Sequence, residues 1–135
     1  MKVSTSRACA ASADTVFDWI ADPHKHIQML PHEVRDAKVL ENGDISAVAH
    51  APGHTEAMVV RMVDADRPTR VVGERVDGKR AGRTEFLIAP DGDGCRVTIH
   101  AELQIPRLIA AVVSGKIKGG LDEQLANLDR LSSGS

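Results

Sequence analysis

Aromatic side chains are almost missing from this chain: Phe17, Trp19 and Phe86 are all of them, and there is no tyrosine. That argues against a base-stacking platform for single-stranded nucleic acid and against a tyrosine-rich recognition surface. Cysteine is limited to Cys9 and Cys95, with no Cys-x-x-Cys pair and no metal-ligand spacing. No stretch approaches the roughly 20 apolar residues of a membrane span. The N-terminus carries no apolar run of signal-peptide length. Charge of one sign is also lacking: the net value is −2, so the chain average implies no strong pull toward nucleic acid or acidic membranes. Gly-x-Gly-x-x-Gly, Walker and Gly-x-Ser-x-Gly patterns are absent. The expectation is a cytoplasmic protein with reduced thiols, no cofactor, no metal, no nucleic-acid partner and no stable membrane insertion. It would be a monomer or homodimer. At 135 residues, a single domain over 1–135 is expected.

What the chain does have is strands. Residues 52–103 read as a meander of four: His54–Asp66, Thr69–Asp77, Arg80–Pro90 and Cys95–Leu103. Short connectors rich in Gly, Pro and Asp join them. If each turn closes a hairpin, Arg61 faces Glu74, Glu74 faces Arg83, Arg83 faces Glu102, and Glu85 faces His100. Opposite charges paired this way stabilise by a few tenths to about 1 kcal/mol each. A slip of one residue would turn every side chain over. One face is then a solvated charge ladder. The other carries Met58, Val60, Met62, Val71, Phe86, Ile88, Val97, Ile99, Ala101 and Leu103.

Lys2–Ala10 reads as a first strand. Ser12 is a good N-cap for a short helix with Val16, Phe17 and Ile20 on one side, which Asp22-Pro23 ends. Residues 24–32 read as a second short helix or turn. Glu33–Glu41 and Asp44–Ala51 are strands around Asn42-Gly43, a type I′ hairpin signal. After Pro106 a long helix runs to about Leu131, with Val113, Ile117, Leu121, Leu125 or Gln124, and Leu128 in one apolar stripe. Gly115, Gly119 and Gly120 interrupt it, each at about 1 kcal/mol relative to alanine. They leave room for close approach, a bend or a space.

A curved sheet with one apolar face and a helix with one apolar stripe bury each other. Small inner residues (Ala47, Ala49, Gly73, Gly82, Ala101) keep them from meeting fully. A cavity is inferred, walled by Met58, Met62, Phe86 and Ile99, with adaptable methionines suited to varied ligands. Val60, Ala101, Val113 and Ile117 share its faces, and Thr84 offers a hydroxyl. Arg75 falls on the inner face, across from Val60 and Gly82. As a fork for an acidic ligand, its loss should abolish binding with little change in melting temperature. Glu56 shares that parity at the mouth.

The phrase Ala13-Asp14-Thr15-Val16-Phe17-Asp18-Trp19-Ile20-Ala21-Asp22-Pro23 resembles the opening of the polyketide cyclase/dehydrase and lipid-transfer group. That group lies in the START/Bet v 1-like superfamily. The segments 64–72 and 90–98 and the terminal helix match it too. The resemblance implies an α+β helix-grip fold, with a seven-stranded curved antiparallel sheet wrapped around a long C-terminal helix and two short helices after strand 1. It also implies a small hydrophobic ligand (lipid, polyketide or quinone-like) held in the cavity. A cyclase or dehydratase is the alternative, and it needs an acid–base group inside; no catalytic residue can be assigned. A second alternative is an interaction module for a chaperone, ribosome or toxin system, which a large exposed apolar patch would favour.

The histidines show no metal geometry. His24, His26 and His32, with Asp22 and Glu33, read as a solvated loop. His50 and His54 flank the Pro52-Gly53 turn near the mouth, and His100 pairs with Glu85.

Overall fold

Ser12 caps the first helix as its sequence position predicts: its side chain accepts from the Thr15 backbone N–H. Asp22 ends that helix and caps the next, with Pro23 at its first position. The computed structural model describes residues 1–51, 54–78 and 80–134. The Pro52-Gly53 turn, Lys79, Ser135 and the side chains of Ala51 and His54 lie outside that description.

The elements are β1 (Lys2–Cys9), α1 (Ala13–Ala21), α2 (Pro23–His26) and a 3-10 turn (Ile27–Met29). Then come β2 (Val34–Val39), β3 (Ile45–Ala51), β4 (His54–Asp66), β5 (Arg70–Arg75), β6 (Gly82–Asp91), β7 (Gly94–Leu103) and α3 (Arg107–Ser132). The strands form one antiparallel sheet in the order β1-β7-β6-β5-β4-β3-β2. It curls as a half-barrel around α3, the helix-grip architecture.

The register expected from charge pairing is the register observed. Arg61 stands opposite Glu74, Glu74 opposite Arg83, Arg83 opposite Glu102 and Glu85 opposite His100. The ion pairs within it are partly redistributed. Arg61 forks onto Asp44 at 2.8 and 2.9 Å. Arg70 takes Glu85 and Asp64, both at 2.7 Å, and His100 bonds Ser4 at 2.7 Å. Long side chains reach diagonal neighbours as readily as the one directly across.

One turn differs from expectation. Gly43 has φ +89°, but Asn42 is not in the left-handed region, as a type I′ turn would require. The Gly43 N–H bonds Leu40 O at 2.9 Å and the Leu40 N–H bonds Asp44 O at 2.8 Å. The loop is therefore three residues, a type I turn closed by a glycine bulge. Asp44 then faces Arg61, and the Asn42 side chain bonds the Asp44 N–H at 3.0 Å.

The core lies at one end. Val16, Phe17 and Ile20 of α1, Met29, and Leu125 and Leu128 of α3 pack against Val71, Phe86, Ile88, Val97 and Ile99. Each such apolar side chain, fully buried, contributes about 1.5–3 kcal/mol.

Candidate functional site

Side chains alternate across a strand, so the register assigns the concave face residue by residue. From the open end inward, β4 contributes Glu56, Met58, Val60 and Met62. Gly73 and Arg75 come from β5, and Gly82, Thr84 and Phe86 from β6. Leu103, Ala101 and Ile99 come from β7. Burial changes along this axis. Phe86, Ile99 and Ala101 are buried, with Phe86 and Ile99 inside the packed core. Met58, Val60, Met62, Thr84 and Leu103 face the same concavity but are only half-buried. Met62 packs on the margin of the core.

The long helix shows the same gradient. Its stripe Val113, Ile117, Leu121, Leu125 and Leu128 is half-buried at the first three positions and buried at the last two. The polar ties follow it. Thr5 bonds Asp122, Arg7 reaches Asp129 at 3.2 Å, and Asn127 donates to Met29 O at 3.2 Å. The Ala10 N–H bonds Asp129 at 3.1 Å, and His32 bonds Glu123 at 2.6 Å. The Thr5 hydroxyl, with Lys118 beside it, holds the Asp122 carboxyl below its ordinary value. Among the described residues, no such tie is shown for the side chains of 107–117. The C-terminal half of α3 is clamped; the N-terminal half is untied and half-buried at Val113 and Ile117, and the trough of the curled sheet is half-buried at Met58, Val60 and Met62.

Two glycines make room in the wall. A Cβ on Gly73 would meet Met62 Sδ at 3.4 Å and Val60 Cγ1 at 3.6 Å, so both side chains lean across it. A Cβ on Gly82 would meet Leu103 Cδ2 at 3.6 Å and Arg75 Cβ at 3.7 Å. At the open edge of the sheet, a cleft of about 520 Å³ is lined by Arg75, Gly82 and Leu103 of the inner face together with Glu74, Arg83 and Glu102 of the outer charge ladder. A second, of about 320 Å³, lies between Val3 and Ser4 of β1 and Ser114, Gly115 and Lys118 of α3.

Arg75 is on the inner face, as its parity predicts, but its guanidinium is already engaged. Nε donates to Asp77 at 2.8 Å, Nη2 to Ala57 O at 3.1 Å, and Nη1 lies 3.4 Å from Glu56. Arg80 Nε lies 3.2 Å from the other oxygen of Glu56. The Arg75 side chain is only 10% exposed. Asp77, and then Glu56, raise its pKa above the ordinary value against the effect of desolvation. Replacing Arg75 would remove its bonds to Asp77, Ala57 O and Glu56 from a nearly buried position, so an unchanged melting temperature is no longer expected. Sequence parity put Glu56 beside Arg75; the sequence pattern makes Asp77 the last residue of a strand 69–77 and not a partner, whereas β5 ends at Arg75 and Asp77 turns back onto the Arg75 Nε.

The loop histidines separate. His26 is buried rather than solvated: Nδ1 lies 2.8 Å from Ile20 O, and the ring meets Phe86 edge-on at 5.7 Å. Burial lowers its pKa, against the Ile20 bond. Its position on the inward side of α2 follows from the Asp22-Pro23 cap. His24 is exposed and His32 is held by Glu123. His50 is the penultimate residue of β3, on the convex parity, opposite Thr55. Among the described residues, no three His, Cys, Asp or Glu side chains are grouped to hold a metal ion.

A family model described as polyketide cyclase/dehydrase and lipid transport matches residues 1–132. No curated protein matches the chain. A Thermus thermophilus protein of solved structure is 20% identical, with a TM-score of 0.84 over 99% of this chain and 98% of that one. A START superfamily protein of Mycobacterium smegmatis gives 0.75 at 16% identity, over 96% and 97%. A point mutant of norcoclaurine synthase from Thalictrum flavum, solved with a transition-state analogue, gives 0.76 at 16% identity, over 98% and 93%. At these identities the likeness is one of fold.

Proposed function

The chain belongs to the polyketide cyclase/dehydrase and lipid transport family, and from that premise we propose that it binds a small hydrophobic or amphipathic molecule in the trough. The class is lipid, polyketide or quinone-like. One observation carries the reading: apolar residues on two facing surfaces, Met58, Val60 and Met62 below and Val113 and Ile117 above, remain half-buried. Apolar surface that the protein does not cover gains by being covered. The apolar body would lie between sheet and helix, with Thr84 along its side. The Arg75–Glu56–Arg80 group at the mouth would meet a polar head. An acidic head would compete with Glu56 and Asp77 for Arg75, so a neutral or zwitterionic head suits the mouth better. Cys9 and Cys95 stand opposite each other as free, buried thiols, which agrees with work in the reducing cytoplasm.

The test is titration with the uncharged apolar fluorophore N-phenyl-1-naphthylamine. Saturable binding is expected, and Thr84→Trp, which fills the trough, should weaken it roughly tenfold or more. Equal binding by both proteins would remove the trough as the site.

A cyclase or dehydratase is the second reading, favoured by His26, a buried histidine on the concave side of the sheet. It ranks second because the ring lies in the packed end, against Phe86.

A further inference from the structure

The first half of α3 has a second face, turned away from the trough, and it is apolar. Leu108 is 89% exposed, Val112 80% and Ile109 50%. At 3.6 residues per turn, Leu108, Val112, Gly115 and Gly119 fall in one line down the helix, roughly opposite Val113 and Ile117. Nothing lies within 4 Å of a Cβ placed on Gly115 or Gly119. Lys116 flanks this line on one side, and Arg107 and Lys118 flank it on the other.

The charge of this region is unlike the rest of the chain. No acidic residue occurs from Leu103 to Leu121, and Arg107, Lys116 and Lys118 give the segment +3. The remainder then carries −5 within a whole-chain −2. A chain average near neutral therefore conceals a cationic, apolar-tipped helix beside the mouth.

We propose that this face docks reversibly on an anionic lipid surface. An apolar line with cations along both flanks matches a helix lying in the plane of a bilayer interface: the apolar tips enter the acyl boundary while the cations meet lipid phosphates. Glycines in the line let the helix lie close. Among the described residues no helix is long and apolar enough to cross a membrane, and docking requires no crossing. A second copy of the chain is a poorer occupant. It would set Arg107 and Lys116 against cations of the same segment, where the nearby acid, Asp122, already pairs with Lys118. Three apolar side chains also fall well short of the roughly 800 Å² per partner of a stable interface. Docking uses the outward face of α3 and does not depend on what fills the trough.

The experiment is co-sedimentation with phosphatidylcholine vesicles carrying about one-third phosphatidylserine, beside pure phosphatidylcholine vesicles. Binding to the mixed vesicles alone is expected, with release by high salt as screening shortens the reach of the charges. Leu108→Ser/Val112→Ser and Arg107→Glu/Lys116→Glu should each weaken it roughly tenfold or more. All four positions are exposed or on the outer flank, and an unchanged melting curve confirms that each variant folds. Neither variant touches the inner stripe, so N-phenyl-1-naphthylamine binding should stay as in the parent. Failure of docking is thus distinct from failure of the trough. No vesicle binding, equal binding to both vesicle types, or variants that bind like the parent would overturn the proposal. A dimer lost in Leu108→Ser/Val112→Ser, with no vesicle binding, would also overturn it and assign the face to a second copy.

Discussion

His26 shows how a single side chain departs from its local sequence. His24-Lys25-His26 reads as a polar, solvated stretch, yet the turn set by Asp22-Pro23 carries the third residue inward against Phe86. Burial depresses its pKa below the ordinary 6.5. The unfolded chain therefore binds the proton more readily than the folded one. Its contribution to stability is complete above about pH 6.5 and is lost as pH falls below that value. Thermal melts should show a decline in melting temperature on the acid side of pH 6.5, above the carboxylate range. His26→Phe should flatten that decline, and an unaltered slope in the variant would show that another group is responsible. Arg75 teaches a complementary point. Strand parity located its side chain, because parity depends only on position along β5. It could not show that Asp77 holds the guanidinium, since that contact depends on how the chain leaves the strand.

At the scale of the element, α3 divides into two halves that the sequence writes alike. Val113, Ile117, Leu121, Leu125 and Leu128 form one continuous stripe, and its periodicity gives no hint of where packing stops. What stops it is the reach of α1, α2 and the 3-10 turn, which cover only one end of the sheet. Leu128→Ala should therefore cost roughly 2–5 kcal/mol by opening a cavity in the packed end. Ile117→Ala, over the trough, should cost about 1 kcal/mol or less for its half-buried surface. Denaturant unfolding of the two variants measures the difference; similar losses would mean that the helix packs evenly and that no trough exists. The four-strand meander was more legible than the helix, because its charge pairs and apolar face agree on one register. The Asn42-Gly43 hairpin was legible in place but not in type: Gly43 takes the positive φ alone, which makes the loop one residue longer.

Across the whole molecule, element order and the family resemblance led to the helix-grip fold, and averages misled where properties are local. A net charge near zero hid a segment of +3, and an ordinary apolar content hid an uneven core. The closed end has aromatic, isoleucine and leucine side chains to fill it. The open end has methionine, valine, threonine and glycine, facing a helix that is tied down only beyond Leu121. That asymmetry is the basis for reading the protein as a carrier or host of a small apolar molecule. Native mass spectrometry, on the protein as purified and again after incubation with a bacterial lipid extract, tests it most directly. The account predicts a defined added mass that disappears on unfolding and fails to appear in Thr84→Trp. A clean unliganded mass in both samples would contradict it.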